Sequence, residues 1–145
     1  MIVLDTSGVL ALKDESQPDH VAVARLIADN DDDLLLSPFV LAECDYMLTT
    51  RLGPAAAHEL LDEVVEGAFE LVEIDNGDIA AASGVIDRYG NLHIGIADAS
   101  LVVIAARYQT TRLLTSDHRH FRAIAPLWGA PAFTLLPADE PPPPR

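Results

Sequence analysis

The chain has few of the features that disulfide-bonded, zinc-thiolate or membrane-spanning proteins need. Cys44 is its single cysteine, which excludes an internal disulfide and a zinc site built from cysteines. No segment approaches the roughly 20 apolar residues that cross a bilayer. The apolar residues begin at Ile2 with no basic leader before them, so we do not expect a secretory signal. These absences predict a soluble protein of a reducing compartment, the cytoplasm, with no membrane partner.

Positive charge is also scarce. Nine Lys and Arg residues against 23 Asp and Glu give a net charge of −14, which argues against a broad, non-specific nucleic-acid surface. The exception is the segment of residues 107–122, which holds Arg107, Arg112, Arg119 and Arg122 but one acid. This segment is either a solvated helix end and loop or a place that holds a phosphate. Its two histidines, His118 and His120, are interpreted as surface residues. The remaining acidic surface suits a basic partner protein.

Half of the 145 residues are hydrophobic, enough for one domain with a sizeable core. Short apolar runs, interpreted as strands, alternate with segments of helical periodicity. The predicted strands are residues 2–4, 34–36, 69–74, 112–116 and 132–136. The predicted helices are residues 19–30, 38–51, 55–67, 78–89 and 94–108. This alternation predicts an α/β fold in which parallel strands form a sheet with helices on both faces.

Local signals mark several boundaries of these elements. Ser37 followed by Pro38 predicts a capped helix start. The pair Gly90 and Asn91 predicts a left-handed helix end. We place the domain at residues 1–137. Residues 138–145, with their run of prolines, are interpreted as a C-terminal tail that we expect to be disordered.

Four carboxylates are predicted to meet at one edge of this sheet. Asp5 and Asp117 directly follow strands, Glu43 lies in the helix after the second strand, and Asp98 lies at the head of a later helix. Ligands of open α/β sheets bind at the carboxyl ends of the strands. Four acids in one cleft repel each other unless divalent cations bind them or some are protonated. Ligation by oxygen alone is typical of Mg²⁺ or Mn²⁺.

Each acid also has a purely structural interpretation. Asp98 precedes the apolar residues 101–106, where a carboxylate costs several kcal/mol unless something compensates it. It can cap its helix, because Asp is a preferred N-cap and the helix dipole favours its charge. Asp5, with Thr6, Ser7 and Gly8, can form only a turn, and Asp117 another. Glu43 can be a solvated helix residue.

The segments around these acids resemble those of PIN-domain ribonucleases of the VapC toxin type. The matching segments are IVLDTSGVLAL at the N-terminus, LSPFVLAEC around Glu43, IADASLVVIA around Asp98 and LLTSDHRHF around Asp117. They occur in the family's order and nearly its spacing, and the similarity covers residues 1 to about 136. The resemblance implies a PIN-like three-layer fold with a central, mainly parallel sheet. It also implies an endoribonuclease dependent on Mg²⁺ or Mn²⁺ that leaves 5′-phosphate and 3′-hydroxyl ends.

The resemblance assigns roles to individual residues. Asp5 and Asp98 match the family's principal metal ligands. Glu43 and Asp117 match its other two catalytic acids, which complete the site and orient water or a second ion. The hydroxyl positions that usually support these acids are occupied by Thr6 and Thr115.

The resemblance also implies partners and a biological role. Such toxins act on RNA to inhibit translation and growth, commonly form homodimers, and are inhibited by a cognate antitoxin protein that reaches into the acidic groove. The net charge of −14 suits such a partner better than it suits free RNA.

Two other functions can use an aspartate after a first strand, and a third alternative belongs to another class. A response-regulator receiver domain needs a lysine after a late strand, but the single lysine is Lys13. A haloacid-dehalogenase-type phosphatase needs an aspartate two residues after the first, where Ser7 stands. The remaining alternative is a catalytically silent PIN-like module that binds protein or RNA. Loss of one acid would favour that alternative, and none of the four is lost.

Overall fold

Five short apolar runs form one parallel sheet. In the computed structural model, which describes residues 1–141, the strands are β1 (Ile2–Leu4), β2 (Leu34–Leu36), β3 (Glu70–Leu71), β4 (Arg112–Leu114) and β5 (Thr134–Leu136). Their order across the sheet is β3-β2-β1-β4-β5, and every neighbouring pair is parallel. Leu4 at the end of β1 lies opposite Leu36 of β2 and Leu114 of β4. The residues that follow these three strands therefore emerge side by side at one edge.

Seven α-helices connect the strands within the described residues. They are α1 (Thr6–Lys13), α2 (His20–Ala28), α3 (Pro38–Leu52), α4 (Pro54–Val65), α5 (Asn76–Arg88), α6 (Ile96–Arg107) and α7 (His118–Phe121). The predicted start of α3 is confirmed, because the Ser37 hydroxyl accepts a hydrogen bond from the Phe39 amide and Pro38 opens the helix. The predicted α/β fold with a parallel sheet is confirmed.

Helix α6 lies at the centre of the core, which explains its apolar sequence. Eight of its residues are buried, on every side of the helix, as expected for a helix that is apolar all round. It packs against β1, α3 and α5. The buried Ser100 hydroxyl lies 2.8 Å from the Ser37 hydroxyl and donates to the Ala97 carbonyl at 2.6 Å. Because these two partners satisfy the Ser100 hydroxyl, burying it costs little free energy.

Two local predictions and one structural alternative were wrong. Residues 69–74 form only the two-residue edge strand β3, which has β2 as its single neighbour among the described strands. Asp5 to Gly8, for which a turn was the structural alternative, are instead the N-cap and first residues of α1. Gly90 and Asn91 lie in a short 3-10 helix (Gly90–Leu92), and the left-handed residue is His93, with φ of 54°.

The chain beyond residue 137 begins with an ordered turn. The Asp139 carboxylate accepts two hydrogen bonds from the Arg122 guanidinium, both 2.6 Å long, and one from the Leu135 amide at 2.8 Å. Residues 142–145, which include most of the predicted tail's prolines, lie outside the described residues, so their disorder stays a prediction. Within residues 1–141, no helix is both long enough and apolar enough to span a membrane.

Candidate active site

The site begins at Asp5, directly after the central strand. Asp5 is 6 % exposed. Its Oδ1 accepts a hydrogen bond from the Thr6 amide at 2.8 Å, and its Oδ2 accepts from the Thr115 hydroxyl at 2.7 Å and the Ser7 hydroxyl at 3.0 Å. Burial raises the pKa of Asp5, and these hydrogen bonds oppose the rise by favouring the ionised form. The carboxylate is thus held in one orientation by three donors.

A glycine allows α1 to lie close enough to β4 for these bonds to form. A Cβ on Gly8 would lie 2.3 Å from the carbonyl oxygen of Leu114, so no other residue fits without moving the helix or the strand. The close approach brings the Ser7 hydroxyl within 3.0 Å of the Ser116 amide, which donates to it. Gly8 and Ser7 therefore belong to the support of Asp5, although sequence reasoning gave neither a role.

Glu43 joins the site from α3. Its Oε2 accepts a hydrogen bond of 2.7 Å from the Thr6 hydroxyl. Since the Thr6 amide donates to Asp5, one residue positions both acids. The resemblance implied this supporting role for Thr6 and Thr115, and the hydrogen bonds of both hydroxyls agree with it.

Asp98 enters the cleft from the first turn of α6, and the interpretation of it as a helix cap is wrong. The N-cap of α6 is Gly95, and within residues 1–141 no hydrogen bond reaches the Asp98 carboxylate. Its side chain is 24 % exposed, and the Nδ1 atom of the His120 ring lies 3.7 Å from its Oδ2. Burial, and then the charge of Asp5, raise the pKa of Asp98 to about 6. A half-buried carboxylate without donors is suited to a ligand that supplies positive charge.

Asp117 and His120 close the other side of the cleft. Asp117 caps α7 by accepting a hydrogen bond from the His120 amide at 3.1 Å, and its own amide donates to the Thr115 hydroxyl at 2.9 Å. The Nδ1 atom of His120 lies 2.8 Å from Asp117 Oδ2. Despite this short distance, Nδ1 is buried and has no aligned hydrogen-bond partner among residues 1–141. The interpretation as a surface residue is therefore wrong for His120, whereas His118 is exposed.

The structure brings all four predicted acids together. Asp5, Glu43, Asp98 and Asp117 line one cleft of about 310 Å³. Their mutual repulsion contributes to the raised pKa of Asp98. The thiol of Cys44 lies behind the cleft, and burial, followed by the charges of Asp5 and Glu43, raises its pKa to about 12. A thiol that stays protonated is a poor nucleophile, so we do not expect Cys44 to act as one.

The residues present fit a hard divalent cation held by few protein ligands. Within residues 1–141, no group of three or more His, Cys, Asp or Glu side chains is arranged to hold a metal ion. Mg²⁺, however, usually takes one or two protein carboxylates and completes its shell with water and phosphate oxygens. Asp98 accepts no hydrogen bond from the described residues, and its carboxylate lies in the same cleft as Asp5. Two carboxylates of this kind fit that ligand number.

The predicted basic segment does not form a patch at the cleft. Arg107 pairs with Asp78, Arg112 with Asp32 and Arg122 with Asp139. Arg119 is exposed and has no ion pair among residues 1–141. The arginine that does line the cleft is Arg51 of α3. Sequence reasoning missed it, although a signal existed: Glu43, Met47 and Arg51 are spaced four residues apart on a predicted helix and so share one face.

Comparison with known proteins agrees with this geometry. The family model described as PIN domain matches residues 2–126. The chain is 43 % identical over 136 residues to the ribonuclease VapC26 of Mycobacterium tuberculosis. This alignment covers 94 % of this chain and 100 % of that protein.

Solved structures share the fold. The crystal structure of Mycobacterium tuberculosis VapC20, a toxin that cleaves the sarcin-ricin loop, superposes with a TM-score of 0.76 at 19 % identity, over 81 % of this chain and 91 % of that one. A toxin-antitoxin complex from Klebsiella pneumoniae has a TM-score of 0.64 at 14 % identity, over 86 % and 92 % of the two chains. The chain therefore belongs to the PIN-domain family and, within it, to the VapC ribonucleases.

Proposed function

We propose that this protein is a Mg²⁺- or Mn²⁺-dependent endoribonuclease, the toxin of a toxin-antitoxin pair, which cleaves RNA in the cytoplasm and so inhibits translation and growth. The observation that carries the proposal is the meeting of Asp5, Glu43, Asp98 and Asp117 in one cleft at the carboxyl edge of the sheet. The 43 % identity to a ribonuclease along nearly the whole chain supports the same substrate class.

The four acids have different roles in hydrolysis. Asp5 and Asp98 would hold the cation, which when bound would polarise the phosphodiester and favour loss of a proton from the attacking water. Glu43 and Asp117 orient the attacking water and accept its proton. Water adds to phosphorus while the bond from phosphorus to the 3′ oxygen breaks, and the leaving 3′ oxygen takes a proton from solvent. The products are a 5′-phosphate end and a 3′-hydroxyl end.

The neighbouring side chains keep the acids in position. Thr6, Ser7 and Thr115 donate hydrogen bonds that orient Asp5 and Glu43. His120 lies between Asp117 and Asp98, at 2.8 Å and 3.7 Å, and limits where these two carboxylates can point. Organisation before substrate arrives avoids the cost of ordering charged groups during the reaction.

The direct test is cleavage of total bacterial RNA by the purified protein, with new 5′ ends mapped by sequencing. Cleavage with Mg²⁺ or Mn²⁺ that stops when EDTA is added supports the proposal. Undiminished cleavage in EDTA removes the cation from the mechanism. RNA binding without cleavage in either metal favours the alternative of a catalytically silent PIN-like binding module.

A cognate antitoxin and a second copy of this chain are the proposed protein partners. The net charge of −14 and the acidic cleft suit a basic segment of an antitoxin that inserts among the carboxylates. Light scattering tests the homodimer. Co-purification with the protein encoded by the adjacent short reading frame, together with loss of cleavage in the complex, tests the antitoxin.

A further inference from the structure

Among residues 1–141, one Lys or Arg side chain lines the acidic cleft, and it comes from the C-terminal end of α3. Glu43, Met47 and Arg51 face the cleft from successive turns of this helix. Eight residues separate Glu43 from Arg51, so their backbones lie about 12 Å apart along the helix axis. The cleft therefore has carboxylates at the sheet edge and a guanidinium farther out along its wall.

Five of the other seven Lys and Arg side chains among residues 1–141 are already engaged, and the two that are not, Arg25 and Arg119, do not line the cleft. Lys13 pairs with Glu59 and Glu63 of α4, and Arg107, Arg112 and Arg122 each pair with an aspartate. Arg88 lies over the ring of Tyr89, 5.6 Å from its centre. Arg51 is exposed and has no ion pair within 4.0 Å among residues 1–141, although the cleft that it lines is rich in carboxylates.

Asp14 lies near enough for the charge of Arg51 to act on it, but Asp14 does not need Arg51 as a partner. The Asp14 carboxylate already accepts hydrogen bonds from the Ser16 amide and hydroxyl, at 3.0 Å and 2.7 Å, and from the Gln17 side chain at 3.2 Å. Its pKa is lowered first by these bonds to Ser16, and the more distant charge of Arg51 contributes least of the causes. Among residues 1–141 the Arg51 guanidinium has no ion-pair partner, so it is available to bind a ligand.

We propose that Arg51 binds a backbone phosphate of the RNA substrate, one that flanks the phosphate being cleaved. The inference rests on the proposed function and adds a substrate-binding residue to it. Four carboxylates repel an RNA backbone, and a guanidinium that can bind a phosphate with two parallel hydrogen bonds offsets this repulsion outside the reacting centre. The backbones of Glu43 and Arg51 lie about 12 Å apart along α3, which favours contact of Arg51 with a neighbouring phosphate over the one at the acids. A phosphate contact positions the strand and carries no sequence preference.

The test measures binding of a short random-sequence single-stranded RNA pool across a salt series. All proteins carry Asp98→Asn, so that the RNA stays intact, and are compared with and without Arg51→Gln. We expect affinity to fall about tenfold. The slope of log affinity against log salt should become shallower by about 0.7, the value for one phosphate contact on a single strand. Arg51→Lys should restore the slope because it keeps the charge.

The matched control is Arg88→Gln, which removes the same charge from an exposed arginine outside the cleft. It should leave the slope unchanged. An unchanged slope in Arg51→Gln, or an equal change in both variants, overturns the assignment of Arg51, because the second result reports only overall charge.

Steady-state cleavage by the otherwise native protein separates this inference from the proposed function. Arg51→Gln should raise KM for RNA more than it lowers kcat, because the contact lies outside the reacting centre. If the native protein cleaves no RNA with either metal, the proposed function fails, while the salt slopes still decide the role of Arg51. If the native protein cleaves RNA and Arg51→Gln has an unchanged KM, only the role of Arg51 fails.

Discussion

Asp5 and Asp98 occupy the same cleft, yet the protein holds them in opposite ways. Asp5 is almost fully buried and accepts three hydrogen bonds from Thr6, Ser7 and Thr115. Asp98 is partly exposed and accepts none from the described residues. Burial is the main cause of the raised pKa at both positions. The comparison shows that the fold supplies hydrogen-bond donors to Asp5, whereas the described residues supply none to Asp98.

The largest effect on RNA cleavage should come from removing the charge of Asp5 or that of Asp98. Asp5→Asn and Asp98→Asn should each lower cleavage by more than about 100-fold, since even groups that only support metal ligands are worth 10–100-fold. The two variants should differ in stability. Asn at position 5 points an amide group at hydrogen-bond donors and should lose about 1–3 kcal/mol of unfolding free energy. Asn at position 98 should lose little. Equal losses in urea denaturation would contradict the contrast between the two acids.

The support of Asp5 can be disturbed by a substitution that leaves all four acids in place. Gly8→Ala should destabilise the protein by about 1–3 kcal/mol, because the new methyl group overlaps the Leu114 carbonyl and must push α1 away from β4. Cleavage should fall as well, since Thr6 and Ser7 move with the helix. Gly84→Ala in α5 is the matched control, because its methyl group meets open space. The control should be stabilising by about 0.4–1 kcal/mol. Similar destabilisation in both variants would exclude a specific role for the close approach at Gly8.

A smaller change should follow removal of one supporting donor. Thr115→Val deletes the hydroxyl that donates to Asp5 and accepts from the Asp117 amide. We expect a loss of about 1–2 kcal/mol of unfolding free energy and a cleavage rate about tenfold lower. Thr134→Val, which removes a partly buried hydroxyl paired with Thr111 outside the cleft, is the control for stability. A Thr115 variant that cleaves RNA as fast as the Thr134 variant would show that Asp5 needs no such support.

The role of Asp98 should be visible in how the Tm of the protein responds to metal and to pH. At ten times its dissociation constant, Mg²⁺ should stabilise the native protein by about 1.4 kcal/mol, or roughly 3 °C in Tm. Asp98→Asn should show little of this shift. Equal Tm shifts in the two proteins would exclude Asp98 as a ligand.

The sign of the pH effect in EDTA follows from the raised pKa of Asp98. Burial and the charge of Asp5 raise this pKa to about 6 in the folded protein, against an ordinary value of 3.8. Protonated Asp98 therefore contributes stability below about pH 4, and this contribution is lost as pH rises through 6. The Tm of Asp98→Asn relative to the native protein should rise by on the order of 5 °C between these limits. A constant difference across the pH series would contradict the raised pKa.

The sequence supports the prediction of the sheet and the four acids because both depend on local patterns. Short apolar runs such as residues 2–4 form strands wherever they are buried, and an acid directly after a parallel strand must emerge at its carboxyl edge. The same reasoning failed for α1, because Asp5 to Gly8 has the composition of a turn. Its helical conformation depends on the packing of Gly8 against Leu114, 106 positions away in the chain.

What the sequence by itself determined is therefore the parallel α/β arrangement, the order of the motifs and the convergence of Asp5, Glu43, Asp98 and Asp117. Only the tertiary structure decided which of these acids are held and which is left without donors. It also decided that His120 lies between two carboxylates, that three arginines of residues 107–122 are neutralised by aspartates, and that Arg51 is not. The physical reason is that strand and helix patterns are set by neighbours in the chain. Hydrogen-bond partners and ion pairs are set by distances between residues that the chain separates by tens of positions.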